Sequence, residues 1–217
     1  MIADLLPGTE PGRPLRILAL GAHPDDIEIG CAGTVLRLLA DHPGSRVRWV
    51  VMTGAGDRAD EARASARSLV GEGAELATDV HGLRDGHLPY AGSAVKELIE
   101  AEKGIEPDVI LTHRRDDLHQ DHRLLSEVTW QTFRANLIVE YDVPKYDGDL
   151  GPANLFVTLD ETVCRRKVEH LLEAFPSQRD RAWFTADTFW SVLRLRGLEA
   201  GSPTRFAEGF VCRKVVV

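Results

Sequence analysis

The chain has 217 residues, of which 43% are hydrophobic and 28% are charged, ordinary values for a soluble globular protein with a substantial core. Its formal net charge of −8 argues against broad binding to the phosphate backbone of nucleic acids, which requires a basic surface. No apolar run approaches the ~20 residues that a membrane-spanning helix needs. We therefore expect that the protein neither binds nucleic acid nor spans a membrane. Its composition is compatible with a small polar substrate.

The N-terminal stretch and the cysteines bear on where the protein works. Residues 1–14 are acidic and rich in proline and glycine, without the basic start and apolar core of a signal peptide, and we predict a loose leader there. Cys31, Cys164 and Cys212 are odd in number and far apart, so they indicate neither a disulfide framework nor a cysteine zinc site. We expect a cytoplasmic protein. No composition break divides the chain, so residues 1–217 are predicted to form a single domain.

The first two thirds of the chain alternate between short apolar runs and stretches with helical spacing. We predict, in chain order, strand 15–22, helix 29–41, strand 46–53, helix 59–70, strand 76–82, helix 93–103, strand 107–112 and helix 121–136. Ser93 is placed to cap the third of these helices. Strict alternation of this kind predicts an α/β fold with a Rossmann-like, mostly parallel sheet flanked by helices.

The pattern becomes less regular after residue 137. We predict strands at 137–141, 154–159 and 205–217, and helices at 161–175 and 185–197. The C-terminal part is therefore expected to extend the sheet in a less regular way.

Two polar clusters follow predicted strands. His23, Asp25 and Asp26 lie in the turn after the first strand, and His119 and His122 lie shortly after the fourth. Right-handed crossovers bring the carboxyl ends of parallel strands to one edge of a sheet, where ligands bind. Two adjacent aspartates are not expected in a hydrophobic core, because burying unpaired carboxylates costs free energy. We therefore expect the clusters to converge on a site.

Histidine and carboxylate side chains are the ligands of catalytic zinc, which keeps one position open for water. His23 with one of Asp25 or Asp26, and with one of His119 or His122, would supply three ligands. One carboxylate then remains as a general base and one histidine as a general acid. Two histidines and a carboxylate also suit non-haem iron, so the residues leave both the metal and the choice of aspartate open.

The clusters resemble the two signatures of the PIG-L/LmbE-like N-acetylglucosaminyl deacetylase family. The first signature resembles residues 22–26 (Ala-His-Pro-Asp-Asp) with Glu28, Gly30 and Gly33-Thr34, and the second resembles residues 117–122 (Asp-Leu-His-Gln-Asp-His). Further agreement lies at Thr53-Gly54, Arg58, Glu61, Asp85-Gly86, Ser177-Gln178 and residues 207–210 (Ala-Glu-Gly-Phe). The resemblance thus spans roughly residues 15–212.

The resemblance implies a zinc-dependent hydrolase that removes the N-acetyl group from an N-acetylglucosamine-type sugar or sugar conjugate. It implies His23, Asp26 and His122 as the Zn²⁺ ligands, with Fe²⁺ or another divalent metal also compatible. It assigns Asp25 as the general base and His119 as the general acid. The implied partner is a small-molecule amino-sugar conjugate.

Three further residues are expected around the site. The resemblance suggests that Arg58 contacts sugar hydroxyls, although an ion pair with Glu61 or Asp57 at a helix start explains it equally well. Asp121 is expected to orient a ligating histidine, and Asp117 either does the same or shapes the turn.

Other histidines and aromatic residues are assigned packing or surface roles. These histidines are His42, His81, His87, His113 and His170. The aromatic residues Trp183, Phe184, Phe189 and Trp190 are assigned to the core or to subunit contacts, and a homo-oligomer is compatible with them.

Rival functions remain open on the residues alone. A metal-dependent amidase acting on another acylated amino-sugar conjugate would use the same groups. A non-catalytic nucleotide-binding module would need a glycine-rich phosphate loop, whereas Asp25 and Asp26 would repel a phosphate. A non-catalytic sugar-binding protein would have no need of a spare base beside a metal.

Overall fold

The computed structural model describes residues 12–215, and most of the predicted leader 1–14 lies outside them. The described residues contain β1 (Arg16–Gly21), α1 (Asp26–Asp41), β2 (Arg46–Thr53), α2 (Asp57–Val70), β3 (Glu75–Leu83), α3 (Gly92–Ala101), β4 (Val109–His113), α4 (Gln120–Thr132), β5 (Leu137–Tyr141), β6 (Leu155–Leu159), α5 (Glu161–Ala174), α6 (Ala186–Glu199) and β7 (Phe206–Val211).

The strands form one seven-stranded sheet in the order β3-β2-β1-β4-β5-β7-β6. The first five strands of the chain pair in parallel, and Ile17 of β1 lies opposite Val47 of β2 and Val109 of β4. β7 runs antiparallel between β5 and β6. The prediction of a mostly parallel, Rossmann-like sheet with a less regular C-terminal part is therefore confirmed. The strand order reverses between β1 and β4, and a crevice forms at such a point.

Helices cover both faces of the sheet because successive strand residues point to opposite sides. Ile17 and Trp49 are buried in the apolar cluster to which α1, α2, α5 and α6 contribute. Their neighbours Leu18 and Val50 lie in the cluster to which α3 and α4 contribute. With both faces occupied, the carboxyl edge of the sheet is the place where polar side chains gather.

Several predicted boundaries are wrong, each for a local reason. Helix α1 begins at Asp26 rather than residue 29, so part of the acidic turn is helical. Ser93 does not cap α3, because that helix begins at Gly92 and Ala91 takes the N-cap position.

Two later elements end before their predicted limits. Helix α4 ends at Thr132 instead of residue 136, because the chain turns through Phe133–Asn136 before β5 begins. Strand β7 ends at Val211 instead of residue 217, since its neighbour β6 pairs no further than Phe210 and residues 216–217 lie outside the described part.

Two surface properties bear on partners. No helix within residues 12–215 has the combination of length and apolarity needed to cross a membrane. On α6, Leu195 and Leu198 are exposed by 44% and 71%. The homo-oligomer stays a prediction.

Candidate metal centre

The two polar clusters meet at the edge of the sheet between β1 and β4. His23 lies two residues after the end of β1, Asp26 is the first residue of α1, and His122 lies in the first turn of α4. His23 Nδ1 is 3.1 Å from His122 Nε2, although 99 positions separate the two residues in the chain. The structure therefore brings together the three side chains for which the resemblance implied a metal.

Three donor atoms form a compact triangle. Asp26 Oδ2 lies 3.2 Å from His23 Nδ1 and 3.5 Å from His122 Nε2. Ligand atoms bound at ~2.1 Å to a tetrahedral zinc ion are about 3.4 Å apart. The donor spacing therefore fits a divalent cation.

The opposite nitrogen of each histidine faces a carboxylate. His122 Nδ1 is 3.0 Å from Asp117 Oδ2, and His23 Nε2 is 3.3 Å from Asp121 Oδ2 and 3.2 Å from Asp85 Oδ1. A ring N–H that donates to a carboxylate leaves the other ring nitrogen with a lone pair, as in most histidine metal sites. With the outer N–H groups held in this way, the inner nitrogens of His23 and His122 would each offer a lone pair to a bound cation.

Overlapping donor sets surround this triangle. Donor atoms lie within 4.8 Å of one another in the sets His23–His119–His122, Asp26–His113–His122 and His23–Asp85–Asp121. In these sets, Asp121 already accepts two backbone N–H bonds, from Gly86 and Leu88, and His119 Nδ1 accepts the N–H of Asp121 itself. Asp26 Oδ2 likewise accepts the backbone N–H of His23, at 2.6 Å, so these backbone bonds do not rank the sets and the His23–Asp26–His122 ligand set stays a prediction.

Charge around Asp26 keeps it ionised. Burial alone would raise the pKa of this carboxyl, but the positive charges of the His122 and His23 imidazoles hold it well below its ordinary value. An ionised Asp26 is the form that binds a cation.

Asp25 has different neighbours from Asp26, although the two residues are adjacent. It takes the cap position of α1 without capping it, and its Oδ1 lies 3.1 Å from Arg58 Nη2. Burial raises the pKa of Asp25 and the charge of Arg58 opposes that rise. The structure thus places one aspartate against the imidazoles and the other against a guanidinium.

Arg58 connects the site with the C-terminal part of the chain. Its Nη1 lies 3.7 Å from Glu61 and 3.4 Å from Ser177 Oγ, while Nη2 reaches Asp25. Its guanidinium also lies 5.8 Å from the ring centroid of Phe175. Both interpretations of Arg58 are therefore geometrically compatible, because one side chain makes the helix-start pair and borders the site.

His119 takes the cap position of α4. Its Nδ1 accepts the backbone N–H of Asp121 at 3.2 Å, and its ring lies edge-on to His23 with centroids 4.8 Å apart. Since Nδ1 accepts, Nε2 carries the proton of the neutral ring. Burial, followed by the charges of His122 and His23, lowers the pKa of His119.

The sequence interpretation missed His113, which the structure places directly behind the site. This fully buried ring stacks on His122 with centroids 3.8 Å apart, and its Nε2 lies 3.1 Å from Asp26 Oδ2 and 3.0 Å from the backbone N of Ala22. Burial lowers the pKa of His113 to about 4, so the ring is neutral at pH 7. Its place as the last residue of β4 was the signal available in the sequence.

The site opens into a cleft of about 190 Å³. Besides the residues above, it is lined by Val143, Pro144, Lys145, Gln178 and Trp183. Lys145 Nζ lies 2.9 Å from Asp117 Oδ2, and Trp183 borders the cleft although its sequence context suggested core packing. Trp183 carries no local sequence signal that would place it here.

A family model described as PIG-L, GlcNAc-PI de-N-acetylase, matches residues 18–133, which include every candidate ligand. This chain belongs to the PIG-L family. The uncharacterized deacetylase YaiS of Escherichia coli strain K12 is 31% identical over 140 residues, which cover 59% of this chain and 74% of YaiS. The resemblance of the sequence motifs and the expected class of enzyme, an N-deacetylase, are thereby confirmed.

Solved structures confirm the fold. The N,N'-diacetylchitobiose deacetylase of Pyrococcus horikoshii superposes with a TM-score of 0.70 at 20% identity, covering 94% of this chain and 84% of that one. GalB of Pseudomonas putida, a 4-carboxy-2-hydroxymuconate hydratase, superposes with a TM-score of 0.73 at 15% identity, covering 94% and 98%. Because a deacetylase and a hydratase share this architecture, the substrate has to be argued from the site.

Proposed function

We propose that this PIG-L family member is a zinc-dependent N-deacetylase that hydrolyses the N-acetyl group of an N-acetylglucosamine-type sugar or sugar conjugate. One observation carries the proposal: the inner nitrogens of His23 and His122 face each other and Asp26 Oδ2 at 3.1–3.5 Å, with carboxylates behind both rings. The descriptions of the matched family and of the Pyrococcus horikoshii neighbour support an acetylated amino sugar as the substrate class.

A divalent cation held by His23, Asp26 and His122 would supply Lewis acidity, which makes water a better nucleophile and an amide carbonyl a better electrophile. Asp25 lies beside these ligands but outside the triangle, with its Oδ1 paired to Arg58, and we assign it as the general base. It accepts the proton of the attacking water while the new C–O bond forms at the acetyl carbon.

Collapse of the tetrahedral intermediate breaks the C–N bond and releases acetate and the amine. We assign His119 to transfer a proton to the departing nitrogen, because its Nδ1 is engaged by the backbone and Nε2 is left to exchange protons. Asp117 and Asp121 hold His122 and His23 in orientation through their outer nitrogens.

Arg58 is assigned to the sugar. Its side chain is 26% exposed and borders the cleft, so it can donate hydrogen bonds to hydroxyl groups. The cytoplasmic location remains part of this proposal and rests on features of the sequence alone.

The test combines metal analysis with acetate release. Purified protein is expected to contain one equivalent of zinc or a related divalent metal and to release acetate from at least one member of a panel of N-acetylglucosamine conjugates. Asp25→Asn should abolish turnover while metal content stays at the wild-type level. His122→Ala should lose metal, whereas His81→Ala, whose ring lies on β3 away from the cleft, should retain both metal and turnover.

Each outcome bears on a separate part of the assignment. Full turnover by Asp25→Asn contradicts its role as base, and full metal retention by His122→Ala removes that residue from the ligand set. Release of another acyl group, with no acetate from any conjugate, would identify the rival amidase.

A further inference from the structure

Helix α1 is interrupted just behind the candidate ligand Asp26. Cys31 has φ −148° and ψ 15°, which separates a short segment, residues 26–30, from the longer segment that ends at Asp41. An interruption leaves carbonyl groups without partners at the end of one segment and N–H groups without partners at the start of the next. Both sets of groups are buried here, so they need partners from elsewhere.

Two side chains from the C-terminal part of the chain supply these partners. Lys167 of α5 donates from Nζ to the carbonyl oxygen of Ile29 at 2.6 Å. Glu208 of β7 accepts the N–H groups of Gly33 and Thr34 at 2.9 and 2.6 Å, and also the Thr34 hydroxyl at 2.6 Å. The two side chains pair with each other at 2.5 Å and are 4% and 3% exposed.

The direction of the pair matches the two helix ends. An ammonium group lies against the carbonyl end of the first segment, and a carboxylate lies against the N–H end of the second, as the helix dipoles favour. An uninterrupted helix would need neither charge. Burying an ion pair is costly and is weak evidence for a purely stabilising role, so the interruption itself calls for an explanation.

The interruption determines how the first segment is aimed. Asp26 belongs to that segment, and its Oδ2 has to lie within 3.5 Å of both ring nitrogens of the triangle. Ile29 lies three residues further on, and Lys167 fixes its carbonyl group. We propose that Lys167 and Glu208 are positioning residues. They stabilise the interruption in α1 and thereby orient the Asp26 carboxylate toward the proposed metal site.

This inference rests on the proposed metal site and is tested by metal affinity. The full chain is stripped of metal and titrated with Zn²⁺ against a chromophoric chelator, at a temperature well below unfolding. Glu208→Gln should weaken Zn²⁺ binding by about tenfold or more, as changes behind a metal site commonly do. Thr34→Val removes one hydrogen bond to Glu208 without changing shape, and it should weaken binding by about fivefold.

Thr129→Val is the matched control, because it removes a buried hydroxyl that donates to the Leu125 carbonyl at 2.7 Å within α4. It should lower the melting temperature about as much as Thr34→Val and leave Zn²⁺ affinity unchanged. The exchanged double variant K167E/E208K restores a pair of charges with the wrong polarity toward both helix ends. It should remain impaired in Zn²⁺ binding.

The outcomes separate this inference from the proposed function. If the wild type binds Zn²⁺ and Thr34→Val binds it equally well, the pair is merely structural and the inference is overturned. Recovery of wild-type affinity by the exchanged pair overturns it as well. A wild type that binds no divalent cation overturns the proposed function and, with it, the basis of the positioning role.

Discussion

Replacing Gly30 by alanine tests whether the first motif is packed as tightly against β5 as the structure indicates. A Cβ atom at this position would lie 2.6 Å from Cγ and 2.8 Å from Cε2 of Tyr141, and closer still to Cδ2. Carbon atoms in contact are normally 3.5–4.0 Å apart, so the tyrosine or the helix has to move by about 1 Å. Tyr141 is fully buried, and its hydroxyl donates to the Leu20 carbonyl at 2.7 Å, so it has little room to yield.

The magnitude follows from two opposing contributions. Overpacking a close-packed core costs about 1–3 kcal/mol, and the fixed position of Tyr141 puts Gly30→Ala at the upper end. Alanine regains about 1 kcal/mol over glycine through helix propensity. We therefore expect a net loss of about 2 kcal/mol in the free energy of unfolding, which corresponds to a fall of about 4–8 °C in melting temperature for a chain of this size.

Gly92→Ala provides the matched control. Gly92 is the first residue of α3, and an added Cβ there has no heavy atom within 4 Å. The same substitution should therefore stabilise the protein by about 0.5 kcal/mol and raise the melting temperature by about 1–2 °C. Both variants are compared by calorimetry of metal-free protein. A Gly30→Ala variant that melts at or above the wild-type temperature would refute the packing argument.

Three further predictions concern the metal and the pH dependence of stability. Asp117→Asn should weaken Zn²⁺ binding by about 10–100-fold in a chelator competition, because it removes the charge behind His122, and unchanged affinity would contradict this. Zn²⁺ at 100 times its dissociation constant should stabilise the wild type by about 2.7 kcal/mol, a gain that disappears with chelator and in His122→Ala. Burial, followed by the charge of Arg166, lowers the pKa of His170 to about 4, so the unfolded chain binds this proton more tightly. Between pH 6.5 and 4, the free energy of unfolding of the wild type, measured in urea, should therefore fall by about 1–3 kcal/mol more than that of His170→Gln. If the difference between the two free energies stays constant across that range, the effect is excluded.

The sequence predicts the part of the fold that depends on local periodicity and chain direction. Apolar runs and helical spacing located every strand and helix between β1 and α4, with errors confined to their ends. Parallel strands share a carboxyl edge, which is why His23 and His122 could be expected together across 99 positions. The convergence of the two polar clusters could therefore be predicted without knowing how the side chains pack.

Local periodicity and chain direction do not predict which residues contact one another in the tertiary structure. Nothing in the pattern of residues 205–217 indicates that β7 inserts antiparallel between β5 and β6. Without that pairing, Glu208 is one polar residue in a short strand, and Lys167 is one cation on a charged helix. The contacts of Glu208 and Lys167 with α1 require β7, α5 and α1 to come together, and no local sequence periodicity encodes that arrangement.

The division between Asp25 and Asp26 shows where the structure adds most. Spacing could not say which carboxylate faces a metal, since both residues follow the same strand. Asp25 takes the N-cap position with non-helical backbone angles (φ −130°, ψ −6°), whereas Asp26 begins the helix, so the two side chains face different surroundings. Asp26 meets three imidazoles and stays ionised among them, whereas Asp25 meets the single guanidinium of Arg58. The proposed metal ligand and the proposed general base require different environments of this kind, and the start of α1 provides both at neighbouring positions.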